Sequence, residues 1–212
     1  NVLSQSCALY SRLRKYEKAY EVAIEAEKIA ERLYNENNNK YRHIAGTAFK
    51  ELGNVLSFMN KYDEAEKNFI KAESILEIGY KENDELFGSY LAQCYQNHGF
   101  MYLSNPELIE KSVRPLEKAS KIYESLSQKE PLYYYYPLVI TYKNISSYYE
   151  QKKNNSQVIH YSSLAEEYLS KLEVVTPNRY SNLLEDTHTK LVTAYLQEDK
   201  FDEEKIWILE NE

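Results

Sequence analysis

The chain has 212 residues, and its five glycines and five prolines are too few for the tight turns of an all-β fold, whereas Glu, Lys, Leu, Ala and Tyr fill long stretches compatible with helix. Apolar residues make up 43% of it and charges of both signs are interspersed, which excludes disorder. A net charge of −7 with no dense Lys/Arg run excludes nucleic acid as a partner, and no run of about 18 apolar residues is present to insert into a membrane.

In chain order, periodicity predicts helices near 1–13, 17–35, 40–60, 63–82, 85–104, 108–128, 132–152, 156–173, 178–198 and 202–210. Connections between them are short. The Asn37-Asn38-Asn39 and Asn154-Asn155 stretches, with Pro106 and Pro131, punctuate helical hairpins, and no linker divides the chain.

Sliding the chain against itself aligns Gly53 with Cys7, Gly99, Ser146 and Val192, in steps of 46 or 47 residues. Small residues hold four of these five slots. Tyr16, Ala19 and Ala26 mirror Tyr62, Ala65 and Ala72, while Ala119 and Ala165 stand where the second alanine is expected. Later repeats depart from the pattern: Ser112, Val158 and Glu204 replace the first alanine, Phe201 replaces Tyr62, and Asn105-Pro106 adds about one residue to a turn.

The second repeat reads Phe49-x-x-Leu52-Gly53-x-x-Leu56, then Lys61-Tyr62-Asp63-Glu64-Ala65-x-x-x-Phe69-x-x-Ala72. It resembles the tetratricopeptide signature, in which small residues let paired helices approach and aromatic residues fill the space between repeats. A basic unit of that family has about 34 residues, so a step of this length adds about three helical turns. Such long-helix repeats resemble those of kinesin light chains, of Rap-type peptide receptors, and of arrays attached to bacterial NTPase and caspase-like effector proteins. For the last group, Tyr123-Glu124-Ser125-Leu126, Pro131, Pro137-Leu138, Asn144-Ile145 and Tyr149 stand in the family's order.

The resemblance implies an all-α, right-handed α-α superhelix of about five helical hairpins, as one domain over 1–212 with repeats near 1–40, 41–84, 85–131, 132–177 and 178–212. It also implies a protein- or peptide-binding module on the concave face, without cofactor or metal, in a cytoplasmic bacterial protein. A Rap-like receptor for a signalling peptide, or a regulatory region of a larger effector, is the alternative. A homodimer through Ile206, Trp207, Ile208 and Leu209 of the last helix is a third reading. The first residue is Asn1 and not Met, so a missing N-terminal part is expected; removal of a signal peptide, with export, would look the same.

Projection of the signature onto the first helix of each repeat predicts the inner wall. Repeat one contributes Ser4, Ala8, Ser11 and Arg12; repeat two contributes Thr47, Lys50, Asn54 and Phe58; repeat three contributes Gln93, Gln96, Asn97 and Phe100. Lys143, Ser147, Glu150 and Gln151 follow, then Asp186, Thr189, Thr193 and Gln197. Amides and lysines on such a wall suit the backbone of an extended peptide. Lys50, Asn54 and Asn97 match part of the two-carboxylate clamp of some tetratricopeptide domains, but Ile140 and Asn144 stand where its further Lys and Arg are expected.

Tyr133 to Tyr136 are consecutive, so a helix cannot turn all four rings to the core, and at least one is expected at the surface or an interface. His43, His98, His160 and His188 are isolated from any catalytic or metal-binding motif, and Cys7 and Cys94 lack disulfide or zinc spacing. Catalysis is therefore not expected. His98 and His188 fall at packing positions, as hydrogen-bonded, half-buried rings.

Overall fold

The computed structural model describes residues 2–198 and contains no strand among them. Nine α-helices follow one another there: α1 (Val2–Arg12), α2 (Tyr16–Glu36), α3 (Asn38–Phe58), α4 (Tyr62–Glu82), α5 (Asp84–Leu103), α6 (Val113–Lys129), α7 (Pro131–Gln151), α8 (Asn155–Val175) and α9 (Ser181–Gln197). The expected helix at 202–210, with Phe201, Glu204 and the Ile206 to Leu209 face, lies outside the described residues.

Helix ends repeat as the sequence does. Asn37 and Asn83, 46 positions apart, accept the backbone N–H of Lys40 (3.0 Å) and Leu86 (2.9 Å), and Asn154 accepts that of Gln157 (3.2 Å). Each bond satisfies a donor that a helix start leaves orphaned. Turns from odd to even helices carry one residue of positive φ, namely Arg14 (54°), Asn60 (59°) and Lys153 (54°). The next N–H reaches back over the helix end, from Lys15 to Tyr10, Lys61 to Leu56 and Asn154 to Tyr149, each at 2.9 Å.

In the third repeat that left-handed slot falls on Pro106, whose ring holds φ near about −65° and cannot enter it. The turn is rebuilt around a short 3₁₀ segment, Ile109–Lys111, and α6 begins at Val113 instead of the expected 108. Similarly α9 begins at Ser181 instead of 178, because Asn178 itself sits at a φ of 66°. Pro137 does not break α7, which runs unbroken from Pro131, a position where a missing N–H costs nothing.

The chain gathers into two compact units, Asn1–Ile122 and Tyr123–Glu212. In the first, every helix from α1 to α5 packs on its chain neighbour, and α3 also touches both α1 and α5. Odd helices thus form one layer with α2 and α4 behind it. Phe49, Leu56, Phe69, Leu76, Leu91 and Met101 are buried between the layers. Gly53 and Gly99 are small because the helix behind is close: a Cβ on Gly53 would stand 3.1 Å from the Phe69 ring, and one on Gly99 would stand 2.5 Å from Leu116.

In the second unit α8 packs on both α7 and α9, around Leu138, Ile145, Leu169 and Leu191. Ser146 holds the small slot and shares a buried 2.8 Å hydrogen bond with Ser162. Val158 is buried where the signature has its first alanine. Of the four consecutive tyrosines, Tyr134 is buried while Tyr133 and Tyr136 are exposed, as helical geometry requires.

Candidate functional site

An open groove of about 280 Å³ in the first unit is lined only by α1, α3 and α5. From the predicted wall it collects Ala8, Ser11 and Arg12 with Asn54, Phe58, Asn97 and Phe100. Glu51 and Ser57, which the projection did not select, line it too. Phe58 and Phe100 are about half exposed, and Phe58 is held in place by stacking on Tyr16, with centroids 5.6 Å apart and planes 18° apart.

Charge at the groove is partly committed. Glu51 takes the Lys50 ammonium at 3.0 Å and the Asn54 amide at 3.2 Å. Among the described residues, Arg12 and Asn97 make no side-chain hydrogen bond or ion pair, so a guanidinium fork and an amide remain open to a ligand.

Lys50 departs from its projected place. Its side chain is only 5% exposed, and Nζ bonds Gln93 of α5 as well as Glu51, so it ties two repeats together instead of facing outward. The clamp pattern thereby loses its lysine, because a buried ammonium paired with Glu51 and Gln93 would have to leave both to turn outward. Gln93 is exposed but serves as acceptor in this bond, and Gln96 is half-buried beside it.

Part of the predicted wall of the second unit is committed in the same way. Lys143 bonds Asp186 and, at 3.2 Å, Thr187; Ser147 accepts from Lys190 at 3.1 Å; and Lys190 pairs with Glu150 at 2.8 Å. Thr189 and Thr193 bond the carbonyls of Glu185 and Thr189 along their own helix. Gln151 is exposed at the end of α7, and Gln197 lines a polar hollow with Glu150 and Lys190. Four of these eight side chains, Lys143, Ser147, Glu150 and Asp186, thus join repeats.

Three α4 carboxylates are tied to α5: Tyr102 donates to Glu66, Tyr95 donates to Glu77, and the His98 Nδ1 lies 2.6 Å from Glu73. Burial opposes ionisation of Glu66, but hydrogen bonds from Tyr102 and Lys111 outweigh it and hold its carboxyl below the ordinary value. Glu77 is held down in the same way by Tyr95 and Lys118. Burial, reinforced by those carboxylates, pushes the Tyr95 and Tyr102 hydroxyls well up. His188 similarly meets Glu166 at 2.8 Å. Both histidines are thus held in packing contacts.

Burial, with Glu51 nearby, pushes the Cys7 thiol up to about 11, and Cys94 is raised too, chiefly by complete burial. Among the described residues no three His, Cys, Asp or Glu side chains are grouped as a metal site requires, and no helix is long and apolar enough to cross a membrane.

The architecture is thus an all-α helical repeat. No protein-family model matches this chain, and no curated protein sequence matches it.

Proposed function

We propose that the chain is a tetratricopeptide-type solenoid, with the right-handed stacking that type implies, and that it binds an extended peptide segment of a partner protein in the α1/α3/α5 groove. The observation carrying this reading is that three successive odd helices converge on one groove with two half-exposed phenylalanines beside an uncommitted guanidinium and amide. Exposed aromatic rings supply apolar contact area, and Arg12 and Asn97 supply hydrogen bonds that a peptide carbonyl or carboxylate can accept. A scaffold of packed helices holds these groups in place before binding, which limits the ordering cost.

The test is a cellulose-bound peptide array probed with the wild type and with Phe58→Ala/Phe100→Ala. Discrete peptides should be retained by the wild type and lost by the variant, with circular dichroism unchanged. Equal retention by both proteins, or no retained peptide at all, overturns the reading.

A further inference from the structure

The repeat supplies an internal control for each inter-repeat contact. Between repeats two and three, the space beside α3 is filled by Phe49, Lys50 and Leu76, of which Phe49 and Leu76 are essentially buried, and Lys50 bridges to Gln93. Shifted by 93 positions, the same slots hold Tyr142, Lys143 and Leu169, and Lys143 bridges to Asp186. Shifted back by 46, they hold Leu3, Ser4 and Ala30, with Thr47 in place of Gln93. Every one of these side chains is shorter, and no bridge closes the slot.

There a cavity of about 340 Å³ opens, reaching from Leu3, Ser4 and Ala30 to Ile44, Thr47 and Tyr90. Ile29, Leu33 and Ala48 add apolar wall, and no Asp, Glu, Lys or Arg lines it. The polar groups are few: the hydroxyls of Ser4, Thr47 and Tyr90 and the His43 ring, which lies 5.9 Å from that of Tyr90. None of the four has a hydrogen-bond partner among the described residues. Local departures from a repeated packing rule mark functional positions, and a largely apolar hollow with a few convergent polar groups has the anatomy of a small-molecule site.

We infer that this cavity binds a small uncharged molecule with an aromatic or short aliphatic body and one hydroxyl or carbonyl group. Its body packs on Leu3, Ile29, Leu33 and Ile44, and its polar group bonds the Ser4, Thr47 or Tyr90 hydroxyl. An ionised ligand is disfavoured, because its charge would lose hydration with no opposite charge to meet it.

The test is a fluorescence titration of the full chain with 2-naphthol, alongside its anionic counterpart 2-naphthalenesulfonate. Saturable binding of 2-naphthol is expected, with the sulfonate at least about tenfold weaker. Two variants restore what stands between repeats two and three: Ala30→Leu refills the leucine slot, and Ser4→Lys/Thr47→Gln rebuilds the bridge. Each should weaken 2-naphthol binding at least about tenfold while leaving circular dichroism unchanged. If Ala30→Leu fails to fold, the bridge variant decides. The inference is overturned by absent saturation, by a sulfonate bound as tightly as 2-naphthol, or by undiminished binding in a folded variant. A wild-type dimer dissolved by Ala30→Leu in sedimentation would also overturn it, assigning the cavity to a contact between copies. Phe58→Ala/Phe100→Ala should bind 2-naphthol normally, so the result is independent of the peptide groove.

Discussion

Replacing Gly99 by alanine opposes two effects of known size. Alanine favours a helix interior by about 1 kcal/mol over glycine. Against that, the added Cβ would stand 2.5 Å from Leu116 Cγ and 3.0 Å from the Ser112 carbonyl oxygen, and the second of these is backbone. Leu116 is fully buried, and its own N–H already bonds that Ser112 oxygen at a long 3.4 Å, so the first turn of α6 must move. Overpacking of this kind costs about 1 to 3 kcal/mol, and a contact with backbone that cannot swing aside puts this site in the upper half of that range, about 2 to 3 kcal/mol, so that after the helix gain a net loss of about 1 to 2 kcal/mol remains, or about 2 to 8 °C for a chain of this length. At Gly53 the nearest neighbour of the new methyl would be the Phe69 ring, a side chain 3.1 Å away and not backbone, so the two effects should nearly cancel. Urea denaturation of both variants, followed by far-ultraviolet circular dichroism, measures the difference. A Gly99→Ala protein as stable as the wild type, or less damaged than Gly53→Ala, would refute the steric account of the small-residue slot.

The inter-repeat bridges should differ in worth because their burial differs: Lys50→Ala, at a side chain 5% exposed, is expected to cost about 2 kcal/mol. Lys143→Ala, whose Asp186 partner is 67% exposed, should cost at most about 0.5 kcal/mol by the same denaturation assay, and equal losses would contradict this. Because Glu66 is held below the ordinary glutamate value of 4.5, its contribution is complete above that pH and fades as pH falls through the lower folded value. Glu66→Gln should therefore lie about 1 kcal/mol below the wild type near neutrality and converge with it in acid, whereas a gap that widens in acid would reverse the sign. Cys7 and Cys94, both essentially buried with raised thiols, should react with a disulfide reagent at mildly alkaline pH only as fast as the protein unfolds. Rapid labelling of either in the native protein would show that its site opens.

Helix positions were legible because apolar spacing and Asn caps act locally, and the step of 46 or 47 residues placed the helices of the hairpins with errors of a few residues. The largest error, at the start of α6, had a visible cause: Pro106 occupies a slot that needs positive φ. Most of the groove was legible as well, since Ala8, Ser11, Arg12, Asn54, Phe58, Asn97 and Phe100 come from projecting a helical period, and only Glu51 and Ser57 were missed. The bonds from Tyr95 to Glu77 and from Tyr142 to Glu124 were not read, although each partner recurs 47 positions on and the repeat alignment could have revealed them.

What the sequence determined by itself was the helical class, the length of the repeat and the register of small against bulky residues, because each depends on spacing along one chain. Tertiary structure alone decided which polar side chains remain available. Lys50 and Lys143 carry the same period as an open wall residue, yet each finds an acceptor 43 positions away, and whether a charge reaches such a partner depends on distances that only packing sets. Packing also converts the short side chains Ser4, Ala30 and Thr47 into an open cavity, since a void exists only where no neighbouring element moves in to fill it.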